Sequence, residues 1–188
     1  MAYTVRVQRK KIHPYKFNMW VAIAAIVMMF GGLTSAYVVM HGQSRWVSFQ
    51  LPHQFIFSTT VILLSSLTMA LAVKSFRQHQ MNQYKMLITI TAALGVIFMI
   101  SQFMGFRFLY AHGVNLTFNV SASLLFIITG LHMLHVLGGV IALLVMFFRA
   151  FRTRIRSYDP VPVEVAATYW HFVDILWIYL FGFFIWMR

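Results

Sequence analysis

Five apolar runs leave this chain of 188 residues one solvent to fold in: Asn18 to Met40, Phe55 to Val73, Met86 to Phe106, Ala122 to Phe148, and Thr168 to Met187. Each is long enough to cross roughly 30 Å of hydrocarbon at about 1.5 Å per residue. Inside lipid no water satisfies the backbone, so each run must close its own hydrogen bonds and becomes a helix. The expected fold is all-α, a polytopic membrane bundle of five transmembrane helices. With no internal repeat, low-complexity stretch or linker, residues 1 to 188 read as a single domain.

Charge orients the bundle. The net charge is +12, with fifteen Lys or Arg against only Asp159, Glu164 and Asp174. Such an excess suggests nucleic acid, but the distribution excludes it, because the cations sit in short segments between apolar runs. Alternating the loops puts Arg6, Arg9, Lys10, Lys11, Lys16, Lys74, Arg77, Lys85, Arg149, Arg152, Arg154 and Arg156 on one side, and Arg45, Arg107 and Arg188 on the other. By the positive-inside rule the first group faces the cytoplasm, so the N-terminus is expected inside and the C-terminus on the periplasmic side. Met1 to Phe17 lacks the short apolar stretch of a cleaved signal peptide, so the first run is expected to stay as an anchor. Cysteine is absent, which removes disulfides and thiolate chemistry. Aromatic residues at Trp20, Trp46, Tyr169, Trp170 and Trp186 suit interfacial belts. Small residues four apart, at Gly31 and Ser35, Gly32 and Ala36, and Gly138 and Ala142, suit close helix packing.

Ionisable groups within spans are expensive and therefore informative. Here they are His132 and His135 in the fourth run, and His171 and Asp174 in the fifth, each pair on one helix face. Three histidines and a carboxylate could ligate a transition metal. Depth argues against it: from the run boundaries His135 lies roughly 20 Å from the inner end and Asp174 roughly 9 Å, an offset of about 10 Å. The favoured reading is a set of hydrogen bonds that dock helices 4 and 5, with a proton-related role for Asp174 as the alternative. Ser58, Thr59, Ser65, Ser66 and Thr68 make the second run rich in hydroxyls, which can bond back to their own helix, and Gln102 is the amide deep in the third. Arg149, ending the fourth run, is best placed to meet a lipid phosphate, with Trp46 a second lipid-contact candidate. No Gly-rich phosphate loop, nucleophile with a base, or carboxylate pair appears, so no catalytic residue is assigned.

Thr129-Gly130-Leu131-His132-Met133-Leu134-His135-Val136-Leu137-Gly138-Gly139, followed by Tyr169-Trp170-His171-Phe172-Val173-Asp174-Ile175-Leu176-Trp177, closely resembles the signatures of subunit III of the haem-copper cytochrome c oxidases. Leu51-Pro52, Ser65-Ser66 with Thr68, the Gly95, Phe98 and Gln102 spacing, Phe147-Phe148-Arg149, and Glu164 extend the similarity over roughly residues 18 to 188. Mitochondrial-type members have seven helices, and this chain matches the last five, as the shorter bacterial members do. The resemblance implies an accessory, non-redox subunit in the bacterial inner membrane. Its expected partners are subunit I as the main contact, subunit II and a small subunit IV, with haem and copper in those partners and a possible respiratory supercomplex. It further implies structural phospholipid, held in a cleft between the first two helices and the remaining bundle, and support of subunit I stability, oxygen access and proton uptake.

Two departures limit what carries over. The intramembrane glutamate of many members falls at Ile26, and the acid that often follows the helix 3 glutamine falls near Gly105. Their proton roles therefore do not transfer. The analogous subunit of a quinol oxidase or nitric oxide reductase would look similar, and a metal or haem transporter using the histidine pairs is the reading from a different class.

Overall fold

A computed structural model describes residues 14–42, 54–111, 120–151 and 160–187. Trp46, Arg45, Asp159, Arg188 and the basic residues at 6–11 and 152–156 lie outside the described residues. The described residues form five helices: α1 (Pro14–His41), α2 (Gln54–Arg77), α3 (Met81–Ala111), α4 (Val120–Phe151) and α5 (Val161–Trp186). All five are long and apolar enough to span a membrane, as the hydrophobic runs require, and no strand occurs among the described residues. Helices α1 to α4 overrun the corresponding runs at both ends and α5 at its start, because a helix continues through the polar headgroup layer after its apolar stretch ends.

The overrun matters most in α5. Pro160, Pro162 and Glu164 resemble loop chemistry, yet Pro160 occupies the N-cap with φ −74°, and Glu164 lies in the first turn. Proline in the first turn sacrifices no intrahelical hydrogen bond, and an acid there complements the helix dipole. The helix thus starts at Val161 instead of Thr168, and everything after it lies deeper than the hydrophobic run suggests.

Helices α2 to α5 form a four-membered ring in which α2 packs on α3, α3 on α4, α4 on α5, and α5 back on α2; α1 leans on α4 and α5 from outside and does not pack against α2. The tightest connection is the α2 to α3 hairpin. His79 adopts φ 58°, and the Gln80 N–H bonds back to the Ser75 carbonyl at 3.0 Å, closing α2 in a Schellman-type turn.

Two tryptophans seven residues apart on α5 fill the ring. Trp170 is 1% exposed, and its indole slots between Gly95 of α3 and Gly139 of α4 while its Nε1–H donates to Ser65 of α2 at 3.1 Å. Trp177 donates to Thr59 of α2 at 3.0 Å and stacks on His132 of α4 at 5.3 Å between centroids. Trp170 is therefore a core residue and not an interfacial one, which corrects the belt assignment. Trp20 and Trp186, 63% and 79% exposed, do stand at helix ends. A side chain at Gly31 or Gly32 would meet nothing within 4 Å, so the small stripe on α1 packs nothing among the described residues; the working glycine of α4 is Gly139, one step from the expected Gly138.

Candidate functional site

Because successive helices alternate in direction, Lys16, Lys74, Arg77, Lys85 and Arg149 all lie at one end of the bundle, the basic end. Glu164 organises it. One carboxylate oxygen accepts from Lys16 Nζ of α1 at 2.6 Å, and the other accepts from Arg77 Nη2 and Nε of α2 at 2.6 and 3.1 Å. A single acid thus ties the starts of α1 and α5 to the end of α2, which is more than its place near a loop suggests.

Since α1 stands off from α2, a groove of about 470 Å3 runs between them. Lys16, Arg77 and Glu164 line it together with Thr168 and His171, so the stripe 164, 168, 171 follows one face of α5 inward from the basic end. On the other side of α1 lies a second groove of about 780 Å3, walled by Gly138, Ala142, Val145 and Met146 of α4 and by Val165, Ala166 and Tyr169 of α5. Arg149 lines it as well, one turn beyond Val145. Its walls are apolar and its basic end carries a cation, a combination suited to an acyl chain with a charged headgroup.

The side chains of the four ionisable residues within the spans make no hydrogen bond between α4 and α5. Both ring nitrogens of the fully buried His132 and both carboxylate oxygens of Asp174 lack a hydrogen-bond partner among the described residues. His132 is instead held by rings, stacked on Trp177 and edge-on to Phe30 and Phe98 at 6.3 Å. His135 donates from Nδ1 to the carbonyl of Leu131 in its own helix at 2.8 Å, and its ring meets Phe30 of α1. His171 pairs through Nδ1 with the Ser66 hydroxyl of α2 at 2.7 Å. Ser66 also sits beside the Asp174 carboxyl, but its hydrogen bond goes to His171. A hydrogen bond from α5 to α4 runs from Tyr169 Oη–H to the His135 carbonyl at 2.9 Å, and the Trp170–Gly139 contact and the stacking of Trp177 on His132 complete the docking.

The depth expectation also changes. At 1.5 Å per residue Asp174 lies about 20 Å along α5, and His135 about 24 Å from the end of α4. The two are nearly level, and the contact of Trp170 with Gly139 independently fixes that register. What separates them is lateral: the His135 ring faces α1 while Asp174 is enclosed near α2. Among the described residues no group of three His, Asp or Glu side chains gathers in a way that could hold a metal.

The hydroxyls of α2 bond back to their own helix as expected, Ser58 and Thr59 to the Phe55 carbonyl at 3.0 and 2.7 Å and Thr68 to the Ser65 carbonyl at 2.9 Å, and they are also the hub of the polar network between helices. Ser58 accepts from Gln102 Nε2 at 2.8 Å, Thr68 meets Thr91 at 2.8 Å, and Thr59, Ser65 and Ser66 reach Trp177, Trp170 and His171. The signal for this is in the sequence: Ser58-Thr59 and Ser65-Ser66 recur every seven residues, as do Trp170 and Trp177. The two departures acquire a physical meaning too. Ile26 packs against the core as an ordinary apolar residue, and a Cβ at Gly105 would meet Phe55 at 2.8 Å, so that position has no room for an acid.

The family model for cytochrome c oxidase subunit III matches residues 42–188. A probable cytochrome c oxidase subunit 3 of Mycobacterium leprae is 30% identical over 163 residues, covering 85% of this chain and 81% of that protein. A cytochrome c oxidase subunit 3 of Corynebacterium diphtheriae is 29% identical, covering 82% of this chain and 79% of its own length. A probable quinol oxidase subunit 3 of Staphylococcus epidermidis is 27% identical over 172 residues, covering 88% and 85%.

Proposed function

We propose, from the premise that this chain belongs to the cytochrome c oxidase subunit III family, that it is the non-redox third subunit of a haem-copper terminal oxidase. It packs beside subunit I, in a complex with subunit II and a small subunit IV, and the partners carry haem and copper. The cationic side set by twelve of the fifteen Lys and Arg faces the cytoplasm, which places the N-terminus there and the C-terminus in the periplasm of a bacterial inner membrane. Its work is to hold phospholipid against the complex and so to support the stability of subunit I, its oxygen access and its proton uptake.

The observation that carries the lipid part of this reading is the groove of about 780 Å3 that is apolar along α4 and α5 and lined by Arg149 at its basic end. A guanidinium there supplies charge-assisted donors to a phosphate whose acyl chain follows Val145, Ala142 and Gly138 into the bilayer. Arg149→Ala in the purified complex should lower the phospholipid retained after mild detergent extraction and shorten the catalytic lifetime. Unchanged lipid content per complex would remove this contact from the reading.

The electron donor is a second question, since the relatives include both cytochrome c and quinol oxidase subunits. The purified complex given reduced cytochrome c or a quinol as sole donor distinguishes them by oxygen consumption. A metal or haem transporter would instead act without partners.

A further inference from the structure

Asp174 stands out as a carboxyl group deep in the membrane, 1% exposed, with neither oxygen hydrogen-bonded and no cation paired to it among the described residues. An isolated carboxylate is intolerable at such a place, whereas a carboxylic acid is tolerable. The group therefore needs a proton, and a proton needs a route.

The surroundings supply one. The groove between α1 and α2 reaches His171, and its volume of about 470 Å3 accommodates a file of waters. His171 Nδ1 is 2.7 Å from Ser66 Oγ, which leaves Nε2 as the nitrogen for groove water; Asp174 follows His171 by three residues on the same face of α5, with the Ser66 hydroxyl beside its carboxyl. We propose that Asp174 is a proton-exchange site fed from the basic end of the bundle through this groove, His171 and Ser66. The step balances simply. A hydronium ion in the groove gives a proton to His171 Nε2, Nδ1–H passes its proton to Ser66 Oγ, and the Ser66 hydroxyl, turning to the carboxyl group beside it, gives up its own proton to the carboxylate. Water, neutral imidazole, the hydroxyl and the carboxylic acid remain, and a turn of the hydroxyl and a tautomer exchange reset the path.

The charged and titratable groups around the route favour a one-sided connection. At the mouth, Lys16 of α1 and Arg77 of α2 are neutralised in part by Glu164 of α5, so the entrance is not a bare cationic barrier. From α3, Tyr84 packs on Phe76 and Lys85 lies over Phe151, both at the basic end. From α4, His135 is turned to Leu131 and Phe30 and His132 is sealed among aromatic rings, so neither continues the path. The route therefore ends at Asp174, a store and not a channel. This site is separate from the positions Ile26 and Gly105, where acids of other members fall, and it depends on the membrane fold without depending on which donor the oxidase uses.

Infrared difference spectroscopy of the complex that copurifies with this chain tests the proposal. The native complex should show a protonated-carboxyl C=O band that shifts in 2H2O and is lost in Asp174→Asn. Ser66→Ala should slow its exchange at least tenfold. Ala70→Trp, which fills the groove from an exposed position without touching the buried hydroxyls, should slow it similarly. A band unchanged in Asp174→Asn overturns the site, and native exchange rates in both other variants overturn the route. Subunit composition and haem spectrum of the same preparation report separately on the oxidase reading, so the two can fail independently.

Discussion

Gly139→Ala should destabilise the bundle even though it adds one methyl group and a better helix former. The new Cβ would lie 2.9 Å from Trp170 Cε3, 3.0 Å from Cζ3 and 3.3 Å from Tyr169 Cε1. Optimal carbon separations begin at about 3.5 Å, so the indole would have to retreat by about 0.6 Å. It has nowhere to go, because its Cη2 edge is held against α3, where a Cβ on Gly95 would meet it at 2.8 Å, and its Nε1–H is anchored to Ser65. Overpacking of this kind costs about 1–3 kcal/mol, and the gain in helix propensity returns up to about 1, leaving a net loss of about 1–2 kcal/mol. Gly31→Ala, whose Cβ meets nothing within 4 Å, is the control and should be neutral or slightly stabilising. Both are read by reversible unfolding of the detergent-solubilised chain. A double-mutant cycle adds Trp170→Phe, in which the smaller ring should erase most of the Gly139→Ala penalty and give a coupling of about 1 kcal/mol or more. Equal stabilities for Gly139→Ala and Gly31→Ala would refute the slot.

Glu164→Gln should release α1 from the basic end, and because Lys16 and Arg77 are substantially solvent-exposed the loss should be only about 1 kcal/mol, measured as a lower unfolding midpoint. Raising the salt from a few millimolar to about 1 M should shrink the difference between variant and native, since screening weakens the same pairs in the native chain. Ser65→Ala leaves the buried Trp170 Nε1–H without its acceptor and should cost about 1–3 kcal/mol, with a changed tryptophan fluorescence spectrum. Gln102→Leu removes one bond to Ser58 together with a buried Oε1 that has no partner, so it should shift the unfolding midpoint far less than Ser65→Ala.

Much of this molecule is legible in one dimension. Five apolar runs determine five helices because lipid offers the backbone no other partner, and the alternation of basic loops collects the cations at one end whatever the helices do laterally. The histidine and tryptophan signatures of α4 and α5 pointed to the family that the comparisons show. The site is less legible. The side chains of His132, His135, His171 and Asp174 make no hydrogen bond between α4 and α5, and the hydroxyls of α2, besides bonding to their own helix, link α2 to α3 and α5.

The reason lies in the solvent. In water an apolar stripe tells a helix which face to bury, but lipid is as apolar as leucine, so hydrophobicity says that a segment spans without saying which way it turns. Rotation and depth are settled by shape: Trp170 needs a groove that only Gly95 and Gly139 open, and seating it sets α5 at a height where Asp174 comes level with His135 and beside Ser66. The start of α5 at Val161 follows the same logic, since a proline-rich segment that reads as loop is also a good first turn once packing extends the helix. The sequence by itself determined the number and kind of the spans. Only the tertiary structure decided which polar groups meet, because that depends on side-chain volumes from three helices at once.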